Sequence, residues 1–393
     1  MWQNNEYISK CYCGKSKKIR GSYRMKIAMI GHKRIPSREG GVEIVVEELS
    51  TRLAEKGHTV DVYNRRGKNV LDKNVKVEKM KNYKGVNIKE IFTFQNKSLN
   101  AIVYTILATI RALFGHYDVI HYHAEGPCSM IWLPHLFKIR TVATIHGLDW
   151  QRSKWGGFAT KYLKFGEKMA AKYADEIIVL SSGVQKYFKE TYNRDTNFIP
   201  NGVNKPVLKA PKEITEKWGL EKNSYILYLA RIVPEKGLHY LLDAFKEIET
   251  DKKLVIAGGA SHTNEYLEEI KRKASEDDRV IMTGFVQGDV LDELYSNCYL
   301  YCLPSDLEGM PISLMEAMSY GCNVLTSDID ECAQVSGKYG YKFKTGNVQD
   351  LKKQLEKCLE GINKKSNEEI SNYILKKYNW DEVVQETEKK YIR

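Results

Sequence analysis

The sequence lacks a long hydrophobic run. Its longest uncharged apolar stretch, residues 98–110, lies between Lys97 and Arg111. A membrane-spanning helix takes about 20 apolar residues, so this stretch is too short to cross a bilayer. We expect it to form a buried core helix, and the sequence predicts no transmembrane anchor.

Cysteine pairs at recognisable spacings are also missing. The eight cysteines are scattered, no secretory signal is visible, and Cys11 and Cys13 have no second pair at zinc-finger spacing. This usage favours reduced thiols in the cytoplasm over a disulfide framework. His121 and His123 alternate on a predicted strand and so share one face, but no third ligand accompanies them. The sequence therefore predicts no metal site.

The first βα loop, residues 31–41, contains neither the dinucleotide-binding glycine fingerprint nor a P-loop lysine. Dinucleotide and P-loop binding are therefore unsupported. Gly40 and Gly41 directly precede a predicted helix, where glycines can bring backbone N–H groups close to a phosphate. A simple tight turn explains the same two glycines equally well.

The charge is unevenly distributed between the two halves of the chain. Residues 1–200 hold 34 Lys and Arg against 18 Asp and Glu, whereas residues 201–393 hold 27 against 32. The basic first half favours contact with anionic lipid headgroups or diphosphate-linked acceptors. Ordinary solvated lysine-rich helices are an equally good explanation. Nucleic acid is a weaker candidate because no recognised binding motif accompanies the charge.

Alternating strand and helix patterns predict an α/β protein with two domains. The chain has 393 residues, of which 42% are hydrophobic, and this is enough to form two domain cores. Residues 1–24 are polar and basic, and we expect a disordered arm. The first domain is predicted over residues 25–203, up to the Pro-Asn-Gly of Ile199–Val203. The second is predicted over residues 204–366, and a last helix over residues 367–393 is expected to cross back onto the first domain.

Short apolar runs between turn signals predict the strands. They lie at residues 25–31, 59–63, 119–123, 141–145, 176–180, 225–230, 254–257, 280–283, 299–303 and 341–343.

Two carboxylates flank the turn that follows the strand at residues 299–303. Glu308 lies in the loop before Gly309, and Glu316 lies in a predicted helix, with seven residues between the two. Ligands bind at the carboxyl ends of parallel strands, so both could contact a ligand. Ser313 and Glu316 also fit a capping box, which would make Glu316 structural. Local sequence favours the two interpretations about equally.

Two further groups follow strand ends. Arg231 and Lys236 lie between the first strand and the first helix of the second domain, where cations and a helix N-terminus could hold a diphosphate. Two basic residues on a loop are common, so this signal alone is weak. His146 comes directly before Gly147 at the end of a strand, which places it at the sheet crevice.

Taken together, these motifs resemble those of retaining glycosyltransferases of family 4, which have the GT-B fold. The resemblance covers residues 25–393 and rests on the Glu-x7-Glu pair, Glu308 and Glu316, and on the Arg-x4-Lys pair, Arg231 and Lys236. It implies two Rossmann-like, doubly wound parallel-sheet domains that face a cleft.

The resemblance also implies a role for each site residue. Glu308 would contact the donor sugar, Glu316 the ribose hydroxyls, Arg231 and Lys236 the diphosphate, and His146 the donor sugar. The implied catalytic set is His146, Arg231, Lys236 and Glu308. The implied donor-binding set is Gly40, Gly41, Arg231, Lys236, Glu308, Gly309, Met310, Pro311 and Glu316.

The loop from Gly31 to Glu43 is similar to that of bacterial exopolysaccharide glycosyltransferases, particularly the rhamnosyltransferase branch. This implies transfer from a nucleoside-diphosphate sugar to a glycan or lipid-diphosphate-linked acceptor, without a cofactor or a metal. The expected location is cytoplasmic, peripheral on the inner face of the plasma membrane. Two alternatives remain open: a sugar-nucleotide epimerase on the same fold, and a non-catalytic sugar-nucleotide-binding subunit.

Asp328 and Asp330 could be mistaken for the metal-binding Asp-x-Asp of the GT-A class. They fall beyond the second-domain Glu pair, and two separate βα domains argue against GT-A. We predict that they belong to a loop.

Overall fold

The computed structural model of the protein describes residues 18–19, 22–66, 80–94, 97–151, 156–259, 264–361 and 366–392. Cys11 and Cys13 lie outside these residues. Each half of the described chain forms a largely parallel sheet covered on both faces by helices, which confirms the predicted α/β class.

The first sheet contains eight strands in the order β10-β9-β8-β7-β3-β4-β6-β5, all parallel except β5, which runs antiparallel to β6. The strands are β3 Lys26–Ile30, β4 Thr59–Arg65, β5 Asn82–Tyr83, β6 Val86–Ile91, β7 Val119–His123, β8 Arg140–Ile145, β9 Glu176–Val179 and β10 Asn197–Phe198. The helices are α1 Gly41–Glu55, α2 Lys97–Leu113, α3 Trp132–Leu136, α4 Gly157–Tyr173 and α5 Ser182–Tyr192. Central strands such as β7 are buried throughout, as parallel strands with two covered faces require.

The second sheet contains six parallel strands in the order β13-β12-β11-β14-β15-β16. They are β11 Tyr225–Leu229, β12 Lys253–Ala257, β13 Val280–Gly284, β14 Leu300–Leu303, β15 Val324–Ser327 and β16 Tyr341–Phe343. The helices are α6 Glu213–Trp218, α7 Leu238–Lys246, α8 Asn264–Ala274, α9 Asp289–Asn297, α10 Ile312–Ser319, α11 Asp330–Ser336 and α12 Val348–Glu360.

The chain ends in two helices rather than in the single helix that the sequence predicts. Helix α13, Asn367–Lys377, packs on α10 of the second domain. Helix α14, Trp380–Tyr391, packs on α1 of the first domain. The crossing lies between them, where the Val203 N–H donates to the Tyr378 carbonyl at 2.8 Å. The segment Ile199–Val203, which ends the first domain, is thus bonded to the crossing point.

Different helices cover the two faces of the first sheet. Apolar residues of α1 and α14 share one hydrophobic core, on one face of the sheet. Residues of α2, α4 and α5 share the other core, with the turn at Pro127–Met130 that precedes α3. Helices α2, α3 and α4 therefore form one outer layer of the first domain.

Three expectations from the sequence need correction. Residues 1–17, 20 and 21 of the arm for which disorder is expected lie outside the described residues, but Lys18–Ile19 (β1) and Ser22–Tyr23 (β2) within it pair as a short antiparallel sheet. The structure also contains β5, β6, β10 and β15, which the sequence patterns do not predict. The apolar stretch at residues 98–110 does form a helix, but one side of it is exposed. Across the described residues, no helix combines the length and hydropathy that a membrane span requires.

Candidate active site at the interdomain cleft

The two domains meet at a contact between glycines. Gly147 follows β8 in the first domain, and Gly309 lies in the loop after β14 in the second. A Cβ on Gly309 would lie 1.7 Å from the carbonyl oxygen of His146, and one on Gly147 would lie 3.0 Å from the Gly309 Cα. No side chain fits at that distance. The carboxyl ends of the two sheets therefore face each other at this point.

The loop after β11 and the loop after β14 are joined by an ion pair and by a backbone hydrogen bond. Lys236 Nζ lies 2.5 Å from Glu308 Oε1, and the Ser305 hydroxyl donates to the same oxygen at 2.7 Å. Both side chains of the ion pair are largely buried. The Asp306 N–H donates to the Glu235 carbonyl at 3.0 Å. The structure thus joins two predicted site residues that are 72 positions apart in sequence.

Gly237 permits this close approach. Its φ is +64°, in the left-handed region that favours glycine. A Cβ there would lie 1.9 Å from the Pro304 carbonyl oxygen. Lys236 is therefore the last residue of a short turn, Pro234–Lys236, and Gly237 joins this turn to the start of α7. Arg231 follows β11 in the same loop and is half-buried, with the Tyr228 hydroxyl donating to its carbonyl at 3.3 Å.

The predicted capping box at the start of α10 is wrong. The helix begins at Ile312, Pro311 occupies the N-cap position, and no side chain caps the helix. Ser313 lies inside the helix, where its hydroxyl oxygen accepts a hydrogen bond from Tyr301 at 2.8 Å. Glu316 instead accepts from the Tyr295 hydroxyl at 3.2 Å. The main argument for a purely structural Glu316 is thereby removed.

Glu316 lies in an environment that opposes its charge. Burial raises the pKa of its carboxyl, whereas the positive charge of Arg38 in the first domain acts to lower that pKa. A carboxylate that is partly desolvated gains more from each hydrogen bond it accepts than an exposed one does. Ribose hydroxyls are donors of the kind that this group accepts.

Replacing Glu316 by glutamine tests the predicted ribose contact. Glu316→Gln keeps an oxygen for Tyr295 but loses the charge, and charge-assisted hydrogen bonds are about twice as strong as neutral ones. We expect nucleotide affinity to fall about tenfold, with the melting temperature nearly unchanged, as measured by calorimetry. Asp292→Asn is the matched control, because Asp292 accepts from the Tyr320 hydroxyl at 2.6 Å. Native affinity in Glu316→Gln would return this residue to a structural role.

His146 belongs to a row of buried polar groups. Its Nε2 lies 3.1 Å from His123 Nδ1, and the His123 ring stacks on that of His121 with centroids 4.2 Å apart. His121 Nδ1 and Nε2 lie 2.7 Å from the hydroxyls of Tyr391 and Thr144, respectively. The row therefore connects α14 to the cleft.

Burial keeps the His121 and His123 rings neutral. It lowers the pKa of His121 to about 3 and that of His123 well below its usual value. Within the described residues, no cluster of His, Cys, Asp or Glu has the arrangement of a metal site. The sequence paired His121 with His123 but gave no signal for their link to Tyr391, which is 270 positions away from His121.

Gly40 and Gly41 lie at the start of α1, on the opposite side of the cleft from α10. Gly40 is the N-cap residue and is extended, with φ −156°. A Cβ on Gly41 would lie 3.2 Å from Ile312 Cδ1, so the first turns of α1 and α10 face each other. The Glu43 carboxylate lies close to Gly40 and accepts from the Lys33 N–H at 2.9 Å. The predicted phosphate contact of these glycines stays a prediction.

Met310 connects the candidate site to the segment Ile199–Val203 at the end of the first domain. Its Sδ accepts a hydrogen bond from the Asn201 N–H at 3.1 Å. Pro311, the next residue, is buried. Asn201 and Ser305 are contacts that the sequence did not single out. The sequence gives only their positions as a signal: Asn201 lies in the Pro-Asn-Gly segment, and Ser305 lies just after β14.

Asp328 has a local structural role. Its Oδ1 accepts from the N–H of Thr345 at 2.9 Å and from the hydroxyl of Thr345 at 2.6 Å. Asp330 is the first residue of α11. Asp328 lies in a loop as predicted, and Asp330 begins a helix.

Comparisons with known proteins agree with this architecture. Residues 39–205 match the family model described as Glycosyltransferase Family 4, and residues 211–377 match the model described as Glycosyl transferases group 1. An uncharacterized glycosyltransferase of Methanocaldococcus jannaschii is 24% identical over 92% of this chain and 97% of its own. A serotype-specific mannosyltransferase of Escherichia coli is 32% identical over 38% of this chain and 19% of its own.

A solved structure shares the fold. HepE of Anabaena, crystallised with UDP and glucose, superposes with a TM-score of 0.76 over 93% of this chain and 99% of that one, at 18% identity. The two family models divide the chain between the same two sheets that meet at the cleft. The chain therefore belongs to the glycosyltransferases of the GT-B fold.

Proposed function

We propose that the protein is a retaining glycosyltransferase that moves a sugar from a nucleoside diphosphate onto a glycan or lipid-linked acceptor. The observation that carries this proposal is the buried Lys236–Glu308 pair. Glu308 lies in the loop that contacts His146 across the cleft through Gly309. A cation for the diphosphate and a carboxylate for sugar hydroxyls are thus held together. The solved structures of HepE with UDP and with UDP-glucose support a nucleotide-sugar donor.

In the proposed reaction, the bond between the sugar C1 and the diphosphate oxygen breaks, and its electron pair stays on the diphosphate. Arg231 and Lys236 stabilise the charge that develops there. The acceptor hydroxyl forms the new bond from the same face and passes its proton to the leaving diphosphate. No carboxylate is assigned as a nucleophile, in contrast to the carboxylate pairs of retaining glycosidases. The mechanism needs neither a cofactor nor a metal.

The proposed biological role is bacterial surface polysaccharide synthesis, with rhamnose as a candidate sugar. It is supported by the resemblance of the loop from Gly31 to Glu43 and by the serotype-specific relative in Escherichia coli. The excess of Lys and Arg in residues 1–200 supports a peripheral position on an anionic membrane at the cytoplasmic side. An epimerase would instead form product without any acceptor, and a non-catalytic subunit would bind donor without turnover.

A thermal-shift screen against UDP-, GDP- and dTDP-sugars tests the donor. A ligand that binds only the native state at 100 times its Kd adds about 2.7 kcal/mol of stability. We therefore expect one nucleotide class to raise the melting temperature by several degrees, about the shift that such an energy gives in a domain of this size. Release of nucleoside diphosphate should then require both that donor and an acceptor. If none of the sugar nucleotides raises the melting temperature, the proposal fails.

A further inference from the structure

Helix α2 is apolar on its outer side as well as on the side that faces the core. Its inner side presents Tyr104, Ala108 and Ala112 to the core of the first domain. The large apolar residues on its outer side are exposed: Leu99, Ile106, Leu107, Ile110 and, just beyond the helix, Phe114. A surface helix normally presents its apolar stripe to the core and polar residues to water. This helix therefore indicates a surface that contacts something other than water.

The apolar surface extends over the whole layer of α2, α3 and α4. Helix α3 contacts both α2 and α4. Of the sixteen large hydrophobic residues that are exposed in the described part of the chain, eleven lie on or beside this layer. Besides those of α2, they are Phe92, Phe94, Leu136, Phe137, Phe158 and Phe165. We call this surface the outer face. Apolar patches of this kind mark interaction sites.

The outer face is also positively charged. Residues 92–173 contain ten Lys and Arg but four Asp and Glu. Of the four acids, Glu125 and Glu167 are buried, and Asp118 and Asp149 are half-buried. The exposed cations are Arg111, Lys138, Lys161, Lys164, Lys168 and Lys172. The surface therefore combines apolar side chains with cations, without a fully exposed acid among the described residues of this stretch.

We propose that the protein lies on an anionic lipid bilayer through the outer face. The apolar side chains of α2 and the exposed phenylalanines would enter the region between headgroups and acyl chains, and the lysines of α4 would contact the headgroups. A second copy of this chain fits less well, because a symmetric contact would bring two positively charged faces together. Charge complementarity thus favours lipid.

The position of the outer face fits delivery of a membrane-bound acceptor. Phe92 and Phe94 directly follow β6, and their rings lie 5.5 Å apart. Phe158 is near the start of α4, which follows the β8 end where His146 lies. These residues are therefore on the cleft side of the domain. The inference rests on the proposed function here, since it takes the acceptor to be lipid-linked.

Vesicle flotation of the full chain tests the inference, with phosphatidylcholine vesicles that contain or lack phosphatidylglycerol. We expect binding to anionic vesicles that weakens at high salt but does not disappear, because salt screens charge and not apolar burial. Leu107→Asn with Ile110→Asn should lower the partition constant about tenfold at either salt concentration. Lys164→Gln with Lys168→Gln should lower it at low salt only.

Val207→Asn with Leu208→Asn is the matched control, since both residues are exposed but lie outside the outer face. It should bind as the unmodified chain does. If the Leu107 and Ile110 variant fails to fold, Phe114→Asn with Phe137→Asn makes the same test at two more exposed positions. The proposal is overturned if the unmodified chain does not bind at low salt or if the apolar variants bind normally.

Two further outcomes are decisive. If size-exclusion chromatography shows a dimer that the Leu107 and Ile110 changes dissociate, and vesicles are not bound, the outer face is a self-association surface and the proposal is wrong. The thermal shift with sugar nucleotides is measured on the same variants. Vesicle binding in a protein that shows no nucleotide response would overturn the donor assignment and leave the lipid contact standing.

Discussion

Lys236→Met is expected to lower turnover by about two to three orders of magnitude, the loss typical for an electrostatic group used at the transition state. The same change should also destabilise the fold. It leaves the buried Glu308 carboxylate with the Ser305 hydroxyl but without its cation. Removing one partner of a buried ion pair costs about 3–5 kcal/mol. Steady-state kinetics and urea unfolding measure the two effects separately.

A double-mutant cycle separates charge at the transition state from stability. Glu308→Gln combined with Lys236→Met removes both charges, so stability should recover relative to Lys236→Met alone, while turnover stays low. Lys271→Met is the matched control, because Lys271 pairs with Glu268 at 2.8 Å on an exposed helix of the same domain. It should change neither quantity, since exposed pairs contribute little.

Arg231→Ala extends this test to the other predicted cation. Arg231 is half-buried in the loop after β11 and would stabilise the charge that develops on the diphosphate, so turnover should fall about as far as in Lys236→Met. Unchanged turnover after loss of either Arg231 or Lys236 would refute the diphosphate assignment.

Gly309→Ala is expected to lower turnover at least about a hundredfold, the loss that a 1 Å displacement of reacting groups can cause. The new Cβ would lie 1.7 Å from the His146 carbonyl oxygen, so the loop or the whole second domain must move away. Each sheet keeps its own core, so both domains should stay folded and the melting temperature should change little. Small-angle scattering should show a more open particle.

The control for this change is Gly157→Ala. Gly157 is the first residue of α4, and a Cβ there would meet nothing within 4 Å. It should retain normal turnover and a normal scattering profile. Normal turnover in Gly309→Ala would show that the contact between His146 and Gly309 is not needed for the reaction.

The start of α10 shows why local sequence did not decide the role of Glu316. Ser313 and Glu316 have the spacing of a capping box, yet the helix begins at Ile312, two residues earlier than an N-cap at Ser313 would require. Tyr301 on β14 and Tyr295 on α9 hold the two side chains instead. A side chain caps a helix only if it lies at the first turn. The packing of α10 against β14 and α9, and not the local spacing, determined which residue begins the helix.

Helix α2 is a second case in which local sequence did not determine which residues are buried. The length and apolar content of residues 98–110 correctly predicted a helix. A stretch that is apolar on all sides carries no information on which side faces the core. Only the packing of α2 on the sheet revealed that Ile106, Leu107 and Ile110 are exposed.

The sequence by itself determined the two α/β domains and the positions of the charged motifs, because strand and helix periodicity and the ends of strands are local properties of the chain. The tertiary structure alone decided which groups meet: Lys236 with Glu308, His146 with Gly309, and His121 with Tyr391. These contacts join positions that are far apart along the chain. They follow from how the sheets and the last helix pack, which no spacing in the sequence encodes.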